Sequence, residues 1–98
     1  MFDLNDYIKN NRTGRNGHVK HITCKSGLTM SVQATSFTYC HPRNDEGPYL
    51  AVEVGFPSRQ IDDIMEYAEN PAIPTETVYA YVPTNLVEQI VVNNGGLV

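Results

Sequence analysis

From Leu28 to Thr35 apolar and polar residues alternate, with Leu28, Met30, Val32 and Ala34 on one side of an extended chain and Thr29, Ser31, Gln33 and Thr35 on the other. A period of two predicts an amphipathic strand with one buried face. Upstream, His18 to Cys24 reads as its partner strand, with Ile22 and Cys24 sharing a face, and Lys25-Ser26-Gly27 reads as the turn of a hairpin. Alternation resumes from Tyr49 to Phe56, where Leu50, Val52, Val54 and Phe56 are expected inward and Glu53 outward, until Pro57 stops the run. Val78 to Val82, β-branched and aromatic, reads as a further strand.

Helical spacing recurs in three segments. Asp3 is placed to cap a helix over about residues 4–11 with Leu4, Tyr7 and Ile8 on its apolar side. Ser58 is placed to cap a second, in which Ile61, Ile64, Met65 and Ala68 form the apolar stripe and Asp62, Asp63, Glu66 and Glu69 face out. Thr84 is placed to cap a third carrying Leu86, Val87, Ile90 and Val91, which Asn94-Gly95-Gly96 stops. Arg12 to Gly17 and the proline-bounded stretches Cys40 to Pro48 and Asn70 to Thr75 read as loops. The expected fold is α+β, a single domain over residues 1–98, with an antiparallel sheet of about four strands and two or three helices packed mainly on one face. The polar face from Thr29 to Thr35 would then meet water or an interface.

A chain of 98 residues supports one thin core, so a ligand is expected in a groove or between subunits of a homo-oligomer. No apolar run is long enough to span a bilayer, and the opening residues lack the pattern of an export signal, so no membrane partner is expected. The net charge of −4 is unevenly spread. All seven Lys and Arg lie at or before Arg59 with five acids, while the other six acids follow it, giving about +2 in front and −6 behind. Lys9 to Lys25 contains five cations, His18 and His21 and no acid. Such a segment attracts anions; in a chain acidic overall it fits a small phosphorylated ligand better than a long nucleic acid.

The remaining chemistry points away from catalysis. Cys24 and Cys40 read as reduced thiols rather than a disulfide. With His18, His21 and His41 they are zinc-compatible ligand types, but a three-residue step on a strand aims His21 and Cys24 to opposite faces, and neither metal nor other cofactor is expected. His21-Ile22-Thr23 matches half of the paired His-x-Thr arrangement of two-histidine phosphoesterases, and one copy leaves that acid-base pair incomplete. No phosphate-binding glycine loop or serine nucleophile elbow is present. The set best suited to a ligand is Arg12, Arg15, Lys20, Tyr39, His41, Arg43 and Tyr49, since guanidinium forks bind phosphate oxygens and tyrosine rings stack on bases.

Several strings resemble a family of short accessory proteins of tailed phages. They are Asn11-Arg12-Thr13-Gly14-Arg15-Asn16-Gly17, Ser31-Val32-Gln33-Ala34, Pro42-Arg43-Asn44-Asp45-Glu46-Gly47-Pro48-Tyr49, Val52-Glu53-Val54-Gly55-Phe56-Pro57-Ser58, Thr77-Val78-Tyr79-Ala80-Tyr81-Val82-Pro83 and Asn94-Gly95-Gly96, and together they span most of the chain. The resemblance implies an anti-defence role in the host cytoplasm and assigns no catalytic residue. Sequestration of a cyclic or ADP-ribose-like nucleotide immune signal, without cleavage, is the first expectation. The alternative is a stoichiometric inhibitor that sets the acidic segment Asp62 to Glu69 against a host defence protein as a nucleic-acid mimic.

Overall fold

A computed structural model of the chain describes residues 2–13 and 17–98. Helix α1 spans Leu4–Asn11 and opens at Asp3, whose carboxylate accepts from the Asp6 N–H at 3.0 Å. Strands β1 (Arg12–Thr13) and β2 (His18–Val19) form a two-stranded antiparallel sheet. Strands β3 (Ile22–Thr23), β4 (Thr29–Gln33), β5 (Ala51–Gly55) and β6 (Val78–Pro83) form a four-stranded antiparallel sheet in that order. A 3-10 helix at Asp62–Tyr67 precedes β6, and α2 (Thr84–Asn93) follows it. The architecture is the α+β single domain expected, and none of the helices among the described residues is long and apolar enough to cross a membrane.

The core forms where the apolar stripes of the helices meet one face of the larger sheet. Leu4 and Ile8 of α1, Val87, Ile90 and Val91 of α2 and Ile64 of the 3-10 helix join Met30, Val32, Val52, Val54, Tyr79 and Val82 in one buried cluster. The β3–β4 hairpin closes as expected: the Cys24 N–H donates to the Leu28 carbonyl at 2.8 Å, and Gly27 takes φ +95°. Gly95 and Gly96, at φ +86° and +82°, end α2 at the predicted stop.

Four local expectations are corrected. The stretch from His18 to Cys24 is two strands in different sheets, because pairing of Arg12 with Val19 and of Thr13 with His18 commits the first part to α1's own hairpin. Second, the polar face of β4 is covered: Ser31, Gln33 and Thr35 are buried. Val19 passes over it, its N–H donating to Gln33 Oε1 and its carbonyl accepting from Gln33 Nε2, both at 2.8 Å, so one side-chain amide replaces a neighbouring strand.

Third, Leu50 and Phe56 are exposed rather than inward; the strand is confined to Ala51–Gly55, and Phe56 at φ +50° ends the alternation. Fourth, neither Ser58 nor Thr84 caps a helix. The Ser58 hydroxyl accepts from the Thr29 N–H at 2.9 Å, and the segment after Ile61 forms only a 3-10 helix, since Ala68 bridges to Tyr79 and the Glu69 N–H donates to the Val78 carbonyl. These bonds draw the chain onto the edge of β6 before an α-helix can lengthen. The Thr84 hydroxyl donates to the Tyr49 carbonyl at 2.9 Å, and α2 starts behind Pro83 with no side-chain cap.

Candidate functional site

Arg12 leaves α1 at the start of β1 and reaches across to the loop between β4 and β5. Its Nη1 donates to the carbonyls of Gly17 at 3.0 Å and Ala34 at 2.8 Å, and its Nη2 donates to the Tyr49 hydroxyl at 2.9 Å. That hydroxyl donates on to the Asn44 carbonyl at 2.8 Å. The backbone of Tyr49 is held from the other side by Asn5, whose side chain accepts from the Tyr49 N–H at 2.6 Å and donates to the Tyr49 carbonyl at 3.1 Å. Arg12, half-buried, and Tyr49, buried, thus join the start of β1 to the loop between β4 and β5. Burial raises the Tyr49 phenol, and Arg12 partly offsets this. Three of the guanidinium's five donors are spent on the protein itself.

Beside this junction a cleft of about 580 Å³ runs between α1 and the segment 45–49. Lys9 and Arg12 line it, but so do Asp3, Asp6, Asp45 and Glu46. Carboxylates outnumber cations two to one along these walls, so this cleft repels the polyanion that the sequence led one to place near Arg12.

The other predicted pair lies on the surface. The Arg43 guanidinium sits 5.7 Å from the centroid of the Tyr39 ring, within cation–π range. The Tyr39 ring in turn lies 5.9 Å from that of Tyr81, the two planes inclined by 47°. Backbone bonding holds this ladder: the Tyr81 N–H donates to the Tyr39 carbonyl at 3.1 Å, and Tyr81 takes φ +55°, turning its ring out while Tyr79 and Val82 remain in the core. Tyr39 and Tyr81 are 41% and 47% exposed. Beneath them Glu53 Oε1 accepts from the Tyr39 N–H at 3.4 Å. Burial pushes the Glu53 carboxyl above its ordinary value; the Tyr39 N–H opposes this, Glu69 adds to it and Arg43 opposes it.

The seven predicted residues thus divide. Arg12 and Tyr49 form a structural lock, and Tyr39 and Arg43 form an exposed stack. His41 is exposed, its backbone paired with Ala51 at the start of β5. Lys20 lines a separate small pocket with Tyr7, His21 and Thr23. Arg15 lies outside the described residues. Tyr81 and Glu53 complete the stack and were missed, Tyr81 because only its left-handed backbone turns it outward, which alternation does not encode. Cys24 and Cys40 are free, buried thiols; burial raises the Cys24 pKa against the opposing pull of Arg59, so Cys24 is not primed as a nucleophile.

Compared with known protein families, with curated proteins and with solved structures, the chain matches none.

Proposed function

We propose that the chain is a non-catalytic binding protein that sequesters a nucleotide, acting as a phage anti-defence sponge for a nucleotide immune signal. The observation that carries the reading is the exposed ladder Arg43–Tyr39–Tyr81, with successive spacings of 5.7 and 5.9 Å. Base stacking on exposed aromatic rings is worth about 1–3 kcal/mol per base, and an adjacent guanidinium supplies a bidentate partner for phosphate. Arg43 fits that role better than Arg12, whose donors are engaged. An open surface on a small domain encloses little, so tight capture calls for a second copy over the ladder. The resemblance to tailed-phage accessory proteins supports the anti-defence setting in a host cytoplasm.

A second reading draws on the 3-10 helix, where Asp62, Asp63 and Glu66 are exposed, as is Glu69 just beyond it. Such a face suits a basic channel of a host defence protein. Isothermal titration against cyclic dinucleotides, cyclic trinucleotides and ADP-ribose derivatives separates the two, with mass spectrometry of the recovered ligand. Saturable binding with ligand mass unchanged supports the sponge. Silence across the panel rejects it in favour of the inhibitor, and altered ligand mass rejects it in favour of an enzyme.

A further inference from the structure

The crossing from β2 to β3 gathers polar side chains apart from the tyrosine ladder. Tyr7 of α1 places its hydroxyl 3.1 Å from both the Lys20 and the His21 carbonyls, and the Lys20 N–H donates to the Asn11 carbonyl at 3.1 Å. Thr23 is fixed from the far side, its carbonyl accepting from the Val98 N–H at 3.1 Å. With the backbone held at these points, His21 and Thr23 fall two apart on one strand face, exposed, while Ile22 between them is buried. Lys20, His21 and Thr23 line a pocket of about 130 Å³ with Tyr7, Asn11, Leu97 and Val98; no Asp or Glu side chain lines it, and the one carboxylate among these lining residues is the main-chain group of Val98.

From this placement we infer that Lys20, His21 and Thr23 bind a single phosphoryl group. Their chemistry is an ammonium, an imidazole and a hydroxyl, none of them consumed by a hydrogen bond among the described residues, in a stretch from Lys9 to Lys25 that contains no acid. Size decides between a whole nucleotide and its phosphate. At about 130 Å³ the pocket is of phosphate rather than nucleotide size. A nucleotide-sized ligand requires about 300 Å³ or more. The isolated His-x-Thr pair thereby acquires a use that needs no second copy and no acid-base step. The inference stands independently of the ladder at Tyr39.

Titration of the intact chain with inorganic phosphate and, in parallel, with glycerol 3-phosphate, followed by two-dimensional NMR, tests it. Saturable shifts centred on Lys20, His21 and Thr23 are expected. Equal response to both probes identifies free phosphate as sufficient, whereas preference for glycerol 3-phosphate identifies a monoester; either outcome supports a phosphoryl site. Lys20→Gln and His21→Gln are each expected to weaken binding at least about tenfold, the scale of a lost charge-assisted hydrogen bond. Both positions are exposed, so the variants should retain the wild-type spectrum elsewhere. Arg43→Ala should leave phosphate affinity at this pocket unchanged, which separates this site from the proposed nucleotide surface. Absence of saturable shifts at His21 and Thr23, or unaltered affinity in both Gln variants, overturns the assignment.

Discussion

Arg12 and Tyr49, separated by 37 positions, meet through a 2.9 Å hydrogen bond, with the guanidinium carbon 5.9 Å from the ring centroid. The contact ties α1 and its hairpin to the loop that leads into β5, so a charge legible in the sequence as a phosphate ligand serves as a strut between distant segments. Arg12→Ala leaves the Ala34 carbonyl and the Tyr49 hydroxyl without this donor. A loss of about 2–3 kcal/mol is expected in urea denaturation. Arg12→Lys, which keeps the charge but not the fork, should recover only part of it.

Gln33 carries the join between the two sheets. Replacing it with Leu preserves much of the side-chain bulk but removes the partners of both the N–H and the carbonyl of Val19, which is itself fully buried. Stranding two backbone groups should cost about 2–4 kcal/mol, read as a lowered urea midpoint. Hydrogen exchange at Val19 should accelerate by more than exchange in the β5–β6 pair, because β2 depends on this amide and β5–β6 does not.

Gly47 has φ +76°, and a Cβ built there would lie 2.8 Å from Cε2 of the Tyr49 ring. Gly47→Ala therefore combines a left-handed backbone with a collision against a ring that cannot leave Arg12 and Asn44 without breaking their bonds. Destabilisation of about 1–3 kcal/mol is expected. Gly27→Ala meets no neighbouring atom at its φ of +95° and should show only the backbone cost, about 1 kcal/mol. Thermal melts of the pair separate the two contributions.

Glu53 makes stability depend on pH in a defined direction. Its folded carboxyl is raised above the ordinary 4.5, mainly by burial, so the folded state keeps the proton to higher pH than the unfolded chain does. Its contribution is then largest in acid and declines as pH rises from about 4.5 through the raised folded value. Glu53→Gln, which retains an acceptor for the Tyr39 N–H, should melt above wild type at about pH 7, with the gap closing by about pH 4. A gap that instead widens in acid would show that attraction to Arg43 outweighs burial.

Local patterning made the scaffold legible. Asp3 with Leu4 and Ile8, the alternation through Met30 and Val32, the turn at Gly27 and the stop at Gly95 each depend on neighbours within a few residues. What escaped depends on tertiary partners. Nothing in Ser31 and Gln33 announces that Val19 will pass over them, and nothing local in Ser58 shows that Thr29 will claim its hydroxyl. Phe56 and Tyr81 adopt left-handed backbone despite bulky side chains, which reverses the face that period-two reading assigns. For the site, pairing of Arg43 with Tyr39 was visible as composition in one loop. The division of Arg12 from that pair required the tertiary fold, which sets Arg12 in β1 against Ala34 and Tyr49 and Tyr39 beside β6.

Nucleotide capture at the Arg43–Tyr39–Tyr81 ladder remains the proposal on which the assigned function stands. Its most direct test is the melting temperature of wild type, Tyr39→Leu and Arg43→Ala with each member of the nucleotide panel. At about 100 times its dissociation constant a ligand adds about 2.7 kcal/mol of stability. A matching upward shift is expected for at least one nucleotide in wild type and is lost in both variants, each of which still melts cooperatively. A shift of equal size in all three proteins, or none in wild type, would contradict it.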